Sequence, residues 1–189
     1  MDPGLVPFGL HSDTKELLDV HDVPKGKGCA CICASCGMPL VARQGPIRDW
    51  HFAHLSRGEG AAVQRECKYS FLVSVRLMAK QLLGKEMTVR LPAYYGQTHL
   101  APNSHSREPI RFLVTEASSV AVRNLQTDTP VNGVTVDMLG KVGDYELAIY
   151  LQHKGRPVPD ALGECTSESC GIIAISLDQT RDLFSRSDR

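Results

Sequence analysis

The 189-residue sequence predicts an α/β protein in which a small cysteine-rich β-hairpin module packs on a mixed sheet flanked by helices. Three observations support this prediction. Four cysteines lie between residues 29 and 36, a helical pattern of apolar residues follows near residue 70, and most of the remaining chain consists of β-type segments. We expect two units, a β-rich module at residues 1–66 and an α/β domain at residues 67–189.

The composition is ordinary for a globular domain and gives no global charge signal. Hydrophobic residues make up 42% of the chain, and 21 Lys and Arg balance 21 Asp and Glu. Any nucleic-acid-binding surface must therefore be local. The sequence has no long apolar run and no recognisable leader, so we expect a cytoplasmic protein without a membrane partner. In that compartment, seven cysteines favour metal binding over disulfides.

The N-terminal unit is predicted to contain short strands around the cysteines. The segment LLDVHDV reads as a strand. From Cys29 to Leu40, cysteine and apolar positions alternate, which predicts a strand, a tight turn at ASCG and a returning strand at MPLVAR. The segment GPIRDWHFAH reads as a further extended piece.

The C-terminal unit begins with the clearest helix. Leu72, Val75, Leu77, Met78, Leu82 and Leu83 fall at helical spacings, and Gly84 is placed to end the helix. We predict a terminal helix at residues 178–186. The segments between these helices are predicted to contain the strands of the mixed sheet: MTVRLPAYY, IRFLVTEASSVAVRNL, GVTVDMLGKV, YELAIYLQ and GIIAISL.

The cysteine spacing predicts a structural zinc site. Zinc prefers four ligands in a tetrahedron, and Cys33 and Cys36 present two thiolates from one side of a tight turn. Gly37 follows where the backbone needs a positive φ. His54 and Cys67 can complete the site. A closed set of four ligands leaves no open position for catalysis, so the zinc would join the hairpin to the helix.

Other histidine and cysteine residues leave alternatives open. His51 competes with His54 as the fourth ligand. Cys29 and Cys31 would share a strand face with Cys33 and can equally be small buried side chains. Cys165 and Cys170 could hold a second metal, although a loop without metal is favoured.

The segment CASCGMPLVARQGPIRDWHFAH, followed by Cys67 and a helix containing LMAKQLL, resembles the N-terminal part of the competence protein CoiA-like family. The resemblance covers about residues 15–85. It implies a zinc-finger-like module joined to a PD-(D/E)XK nuclease-like domain, so the mixed sheet is expected to be PD-(D/E)XK-like. Beyond residue 85 the similarity is one of outline only.

The resemblance also implies which residues would form a nuclease site. Asp137 matches the first acid, and Gln152 and Lys154 match the motif of the next strand, with Mg²⁺ as cofactor only if the site is active. In another alignment Tyr150 stands in place of the second acid, ahead of Gln152. Leu72 and Arg76 stand where the family helix carries glutamate and histidine. These departures imply a degenerate site that is weak or inactive.

Three functions follow as hypotheses. The first is a zinc-containing protein that binds or processes nucleic acid, DNA rather than RNA, alone or in a nucleic-acid-processing complex. The second is an active Mg²⁺-dependent nuclease with Glu116 or Glu146 as the missing carboxylate. The third is a protein-interaction adaptor or inhibitor that does not contact nucleic acid. For the first, the predicted phosphate-binding residues are Arg43, Arg48, Arg76 and Lys80.

Overall fold

The computed structural model describes residues 5–55, 67–84, 86–98, 109–163 and 169–184, and it shows a mixed α/β fold made mostly of strands. The helices are α1 (Ser70–Leu82) and α2 (Asp160–Gly163), with short 3₁₀ turns at Lys27–Cys29 and Thr180–Phe184. The strands are β1 (Phe8–His11), β2 (Leu17–Asp19), β3 (Cys31–Ile32), β4 (Leu40–Arg43), β5 (His51–His54), β6 (Glu86–Leu91), β7 (Tyr94–Thr98), β8 (Ile110–Thr115), β9 (Ser118–Val131), β10 (Val134–Val142), β11 (Tyr145–Gln152) and β12 (Cys170–Ser176).

Two small sheets form the cysteine-rich part of the chain. One has the order β2-β1-β3, and the other pairs β4 with β5. The hairpin predicted from Cys29 onward is only partly formed, because β3 pairs with β1 and meets the returning segment at a single Ile32–Pro39 bridge. The returning strand β4 instead pairs along its whole length with β5, from Leu40 opposite His54 to Arg43 opposite His51.

The larger sheet has the order β12-β11-β10-β9-β6 and is mixed. All of its neighbours are antiparallel except β11 and β12, whose connection contains α2. Two predicted strands are each interrupted. MTVRLPAYY breaks after Leu91, where Pro92 cannot donate to a ladder, and IRFLVTEASSVAVRNL breaks between Thr115 and Ser118. Beyond these breaks, β7 and β8 form a separate two-stranded ribbon.

Helix α1 packs its apolar side on both parts of the chain. Phe71, Leu72 and Met78 are buried in a cluster that also contains Phe8 and Leu17. The helix ends one residue earlier than the apolar pattern suggests, and Leu82, its last residue, is 74% exposed. In the described part of the predicted helix 178–186, the chain forms a 3₁₀ turn at Thr180–Phe184, and residues 185–186 lie outside the described residues.

A second buried cluster contains the cysteines. Cys29, Cys31 and Cys33 pack with Val20 and Phe52, so three sulfurs lie inside a small apolar core. The described part of the chain contains no helix that is both long and apolar enough to cross a bilayer.

Candidate metal centre

Four side chains that the sequence predicts as zinc ligands lie together in the structure. The potential ligand atoms of Cys33, Cys36, His54 and Cys67 all lie within 4.8 Å of one another, and Cys36 Sγ is 3.4 Å from His54 Nε2. Zn–S and Zn–N bonds of about 2.3 and 2.0 Å put tetrahedral ligand atoms roughly 3.5 to 3.8 Å apart. A small contraction of this Cys₃His cluster would therefore accommodate a metal such as zinc.

A tight turn presents the first two ligands. The Gly37 N–H donates to the Cys33 carbonyl at 2.8 Å, and the Cys33 N–H donates to the Met38 carbonyl at 2.8 Å. Gly37 has a φ of +72°, a conformation that glycine adopts without steric cost. The turn therefore holds Cys33 and Cys36 on one side, as the spacing predicts.

The other two ligands come from different elements. His54 is the last residue of β5, whose position is fixed by pairing with β4 and by the Leu55 N–H, which donates to the Pro39 carbonyl at 2.9 Å. Cys67 lies just before α1, and its carbonyl accepts from the Ser70 N–H at 3.0 Å. A metal here would join the turn, the end of β5 and the start of α1.

Burial raises the pKa of two of the ligand thiols, those of Cys33 and Cys67. It raises the pKa of Cys33 to about 12, partly opposed by the backbone N–H groups of Ser35 and Cys36, which face the sulfur. Burial also raises the pKa of Cys67. Cys36 is exposed, so one side of the cluster is open to solvent. A bound cation would offset the burial and favour thiolates, since the thiolate is the form that binds metal.

The alternative ligands lie outside the cluster. His51 is buried, and its Nδ1 is 2.8 Å from the Asp49 carbonyl. The Cys29 thiol donates to the Leu40 carbonyl, and the Cys31 thiol donates to the Cys29 carbonyl. Cys170 is half-buried at the start of β12, and Cys165 lies outside the described residues.

Asp137 lies at the centre of a buried ion-pair network. Its side chain is fully buried. Arg76 Nε from α1 is 2.5 Å from Oδ1, and Arg156 Nη1 is 2.8 Å from Oδ2. The Leu151 N–H from β11 also donates to Oδ2, at 2.7 Å. The carboxylate therefore links a helix, two strands and the turn that follows β11.

The other two predicted catalytic residues make backbone contacts at the end of β11. The Gln152 carbonyl accepts from the Leu177 N–H at 2.9 Å, and the Lys154 N–H donates to Asp178 Oδ1 at 3.2 Å. Tyr150 is buried, with its ring 3.7 Å from the Arg156 guanidinium and its hydroxyl donating to the Pro157 carbonyl.

The carboxylates suggested as a second metal ligand are exposed. Glu116 lies in the break between β8 and β9. Glu146 lies near the start of β11, four residues from Tyr150, the position that the resemblance gives to the second acid. At the rise of a strand, four residues span about 13 Å. Within the described ranges, the Cys₃His cluster is the one group of three or more His, Cys, Asp or Glu residues close enough to share a metal.

The predicted phosphate-binding residues fall into two pairs. Arg43 and Arg48 are exposed and line a cavity of about 460 Å³ beside β4 and β5. By contrast, Arg76 pairs with Asp137, and Lys80 forms an ion pair with Asp128 on β9. Each cation of the second pair therefore has a carboxylate partner.

Two residues near Asp137 carry no signal in the sequence. Arg156 reaches Asp137 because the turn after β11 folds back, closed by hydrogen bonds between His153 and Arg156. His153 is buried, with its ring 5.6 Å from that of Tyr69. The spacing of Arg156 from the strand does not reveal this contact, which depends on the tertiary fold.

Comparison of the chain with protein-family models, with curated proteins and with solved structures finds no match. Function must therefore be argued from the sites themselves, and the CoiA-like resemblance stays a prediction from the motif residues.

Proposed function

We propose that the chain is a zinc-containing nucleic-acid-binding protein in which zinc has a structural role. The observation that carries the proposal is the convergence of Cys33, Cys36, His54 and Cys67 from three separate segments onto one small volume. A set of three cysteines and one histidine is typical of closed structural zinc sites. Such a set leaves no coordination position for a substrate.

The proposed zinc would stabilise the contact between the two buried clusters. Cys33 belongs to the cysteine-rich core, and Cys67 packs against that core just before a helix that packs in the larger core. The metal would cross-link these two clusters. Because the ligands come together only in the folded chain, the free energy of metal binding contributes directly to folding.

A nucleic-acid partner is supported by the surface at the end of the β4–β5 pair away from the proposed zinc ligand His54, where Arg43 lies opposite His51. Arg43 and Arg48 are exposed there, and the Trp50 ring is 38% exposed and stacks on His21 at a centroid distance of 4.9 Å. Cations combined with aromatic faces suit phosphates and unstacked bases. The CoiA-like resemblance favours DNA over RNA as the ligand.

We propose that any nuclease activity is weak or absent. Mg²⁺ binding needs charged oxygen ligands that are free to coordinate, and the Asp137 carboxylate is engaged by Arg76, Arg156 and the Leu151 N–H. An active nuclease using Asp137, Gln152 and Lys154 would require the two arginines to move away. An adaptor that binds only protein remains the alternative outcome of the nucleic-acid experiment below.

Metal analysis of the purified protein tests the zinc site. We expect about one zinc per chain, and we expect Cys33→Ser and Cys67→Ser to lose the metal and several kcal/mol of stability. Cys170→Ser is the matched control, because Cys170 lies outside the cluster. Wild-type protein that purifies without metal and gains no thermal stability from added zinc would refute the proposal.

The salt dependence of binding tests the nucleic-acid surface. For duplex DNA, each neutralised phosphate contributes about −0.9 to the slope of log affinity against log salt, and about −0.7 for single strands. We expect the Arg43→Gln/Arg48→Gln double variant to flatten the slope. Arg90→Gln, at an exposed position on β6, should leave it unchanged. Absence of binding to duplex and single strands at low salt would favour the adaptor.

A further inference from the structure

The ion-pair network around Asp137 has more positive than negative charge. Two guanidinium groups, those of Arg76 and Arg156, face one carboxylate that is fully buried. Asp137 fixes both arginines, because each contacts a different oxygen of the same carboxylate. The result is a rigid pair of cations whose two positive charges are only partly neutralised by one carboxylate.

Both arginines have hydrogen-bond donors to spare. A guanidinium has five N–H groups, and Arg76 uses only its Nε–H within the described residues. Arg156 directs Nη1 to Asp137 and to the Leu151 carbonyl, while Nη2 lies 3.4 Å from the Thr135 carbonyl. Each side chain is 19% exposed, so the pair is buried on the carboxylate side and reachable from solvent.

The lowered pKa of the neighbouring His153 is consistent with a positive local potential. Burial lowers the pKa of His153, and the charges of Arg76 and Arg156 lower it further, against the opposing effect of Asp178 and Asp137. His153 therefore stays neutral near neutral pH, and it adds no cation that would compete with the arginines for an anion.

We propose that Arg76 and Arg156, held in place by Asp137, form a binding site for a phosphate group. The planar guanidinium matches a phosphate through paired N–H···O bonds, and a pre-fixed arginine loses little side-chain entropy on binding. A divalent cation would instead be repelled by the two guanidinium charges that contact its only carboxylate. Two arginine cations thus contact the carboxylate that would hold Mg²⁺ if the resembled nuclease site were active.

This inference deepens the proposed function, and the choice of phosphate as ligand rests on its nucleic-acid part. The phosphate could belong to a nucleic-acid backbone or be free in solution. The two sources share the same chemistry, and separate titrations distinguish them. The proposed zinc ligands share no residue with this phosphate site.

The test is a ligand titration of the protein, monitored by ¹H–¹⁵N correlation spectra of the arginine Nε–H groups. The Arg76→Lys and Arg156→Lys variants assign the two signals. The probes are inorganic phosphate, a 5′-phosphorylated oligonucleotide and the same oligonucleotide without the terminal phosphate. We expect saturable shifts of the Arg76 and Arg156 signals. Arg76→Gln should weaken binding by about tenfold or more, since it removes charge-assisted hydrogen bonds. Lys141→Gln, which removes one exposed charge from β10, should leave it unchanged.

The Arg76→Lys variant guards against misfolding of Arg76→Gln, because it retains the positive charge beside Asp137. It should keep the native backbone spectrum and still bind phosphate more weakly than wild type, as it lacks the guanidinium fork. Oligonucleotide binding that shifts no Arg76 signal would overturn the phosphate site while leaving the nucleic-acid function intact. Phosphate shifts without oligonucleotide binding would support the site and refute that function. Saturable broadening of the Arg76 and Arg156 signals by Mn²⁺ would also overturn the site.

Discussion

The side-chain amide of Gln81 forms two hydrogen bonds with the backbone of Leu17. The Leu17 N–H donates to Gln81 Oε1 at 2.7 Å, and Gln81 Nε2 donates to the Leu17 carbonyl at 2.8 Å. Leu17 lies on β2, an edge strand of the β2-β1-β3 sheet. The amide therefore takes the place of a neighbouring strand and attaches the end of α1 to the N-terminal sheet.

We predict that Gln81→Ala lowers the free energy of unfolding by about 1–3 kcal/mol, because it leaves two polar groups of a buried residue without partners. Gln81→Glu should be nearly as harmful. A carboxylate can accept from the Leu17 N–H, but it has no donor for the Leu17 carbonyl. Urea denaturation of the metal-loaded protein measures both effects.

Gln97→Ala is the control for this prediction, because Gln97 lies exposed on β7 and away from α1. It should change stability by less than about 0.5 kcal/mol. Equal stabilities of Gln81→Ala and Gln97→Ala would show that the amide does not hold α1 on β2.

We predict that Gly37→Ala destabilises the turn between Cys33 and Cys36 by about 1–2 kcal/mol and weakens metal binding, since a side chain at φ +72° is strained. Space is not the cause, because an added Cβ would meet no atom within 4 Å. Gly45→Ala is the matched control, with the same open surroundings and no positive φ. A zinc-competition assay on both variants checks the prediction, and equal zinc affinities would contradict it.

The features predicted well from the sequence are those that depend on local spacing. The turn around Gly37 follows from two cysteines separated by two residues, and α1 follows from apolar residues at helical intervals. The position of Leu82 shows the limit of such patterns. It fits the apolar spacing, but the helix ends at this residue and the side chain is 74% exposed. Apolar spacing alone does not show where a helix stops packing on its neighbours.

The features missed are those that depend on contacts between distant segments. The returning strand β4 was expected to pair with the segment around Cys31, yet it pairs with β5. Either partner satisfies the same apolar alternation, so the pattern alone cannot choose between them. Likewise, Arg76 and Asp137 lie far apart in the chain, and their contact exists only once α1 has packed on the larger sheet.

We predict that metal-free protein loses stability as the pH rises above about 9. Burial raises the pKa of Cys31 and of Cys33 to about 12, from an ordinary value of 9.0. A raised folded-state pKa stabilises the fold fully below the unfolded value, and the contribution disappears between pH 9 and 12. Cys31→Ala should reduce this alkaline loss.

The zinc-loaded protein should respond to pH in a different way. Cys33 would be a metal-bound thiolate and would have no proton left to lose, so part of the alkaline loss should vanish. Acidification should instead destabilise the loaded protein, as protons compete with zinc for the thiolates. Urea unfolding from pH 5 to pH 10.5, with and without zinc, measures both limbs. Identical pH profiles in the two states would contradict the prediction.

We predict that Asp137→Asn destabilises the fold by about 3–5 kcal/mol, because the neutral amide leaves the guanidinium groups of Arg76 and Arg156 without a counter-charge in a buried place. Asp128→Asn is the matched control. Asp128 also pairs with a cation of α1, Lys80, but its side chain is 56% exposed, so its loss should cost no more than about 1 kcal/mol.

The double variant Asp137→Asn/Arg76→Met separates charge from packing. If the cost of Asp137→Asn comes from an unopposed guanidinium, removing one of the two cations should restore part of the stability, and the two substitutions should not add. Strict additivity would show that the pair is not coupled.

The same measurement governs how nuclease assays are interpreted. Cleavage that disappears in Asp137→Ala indicates catalysis by Asp137 only if the variant remains folded, because the residue also joins α1 to β10 and β11.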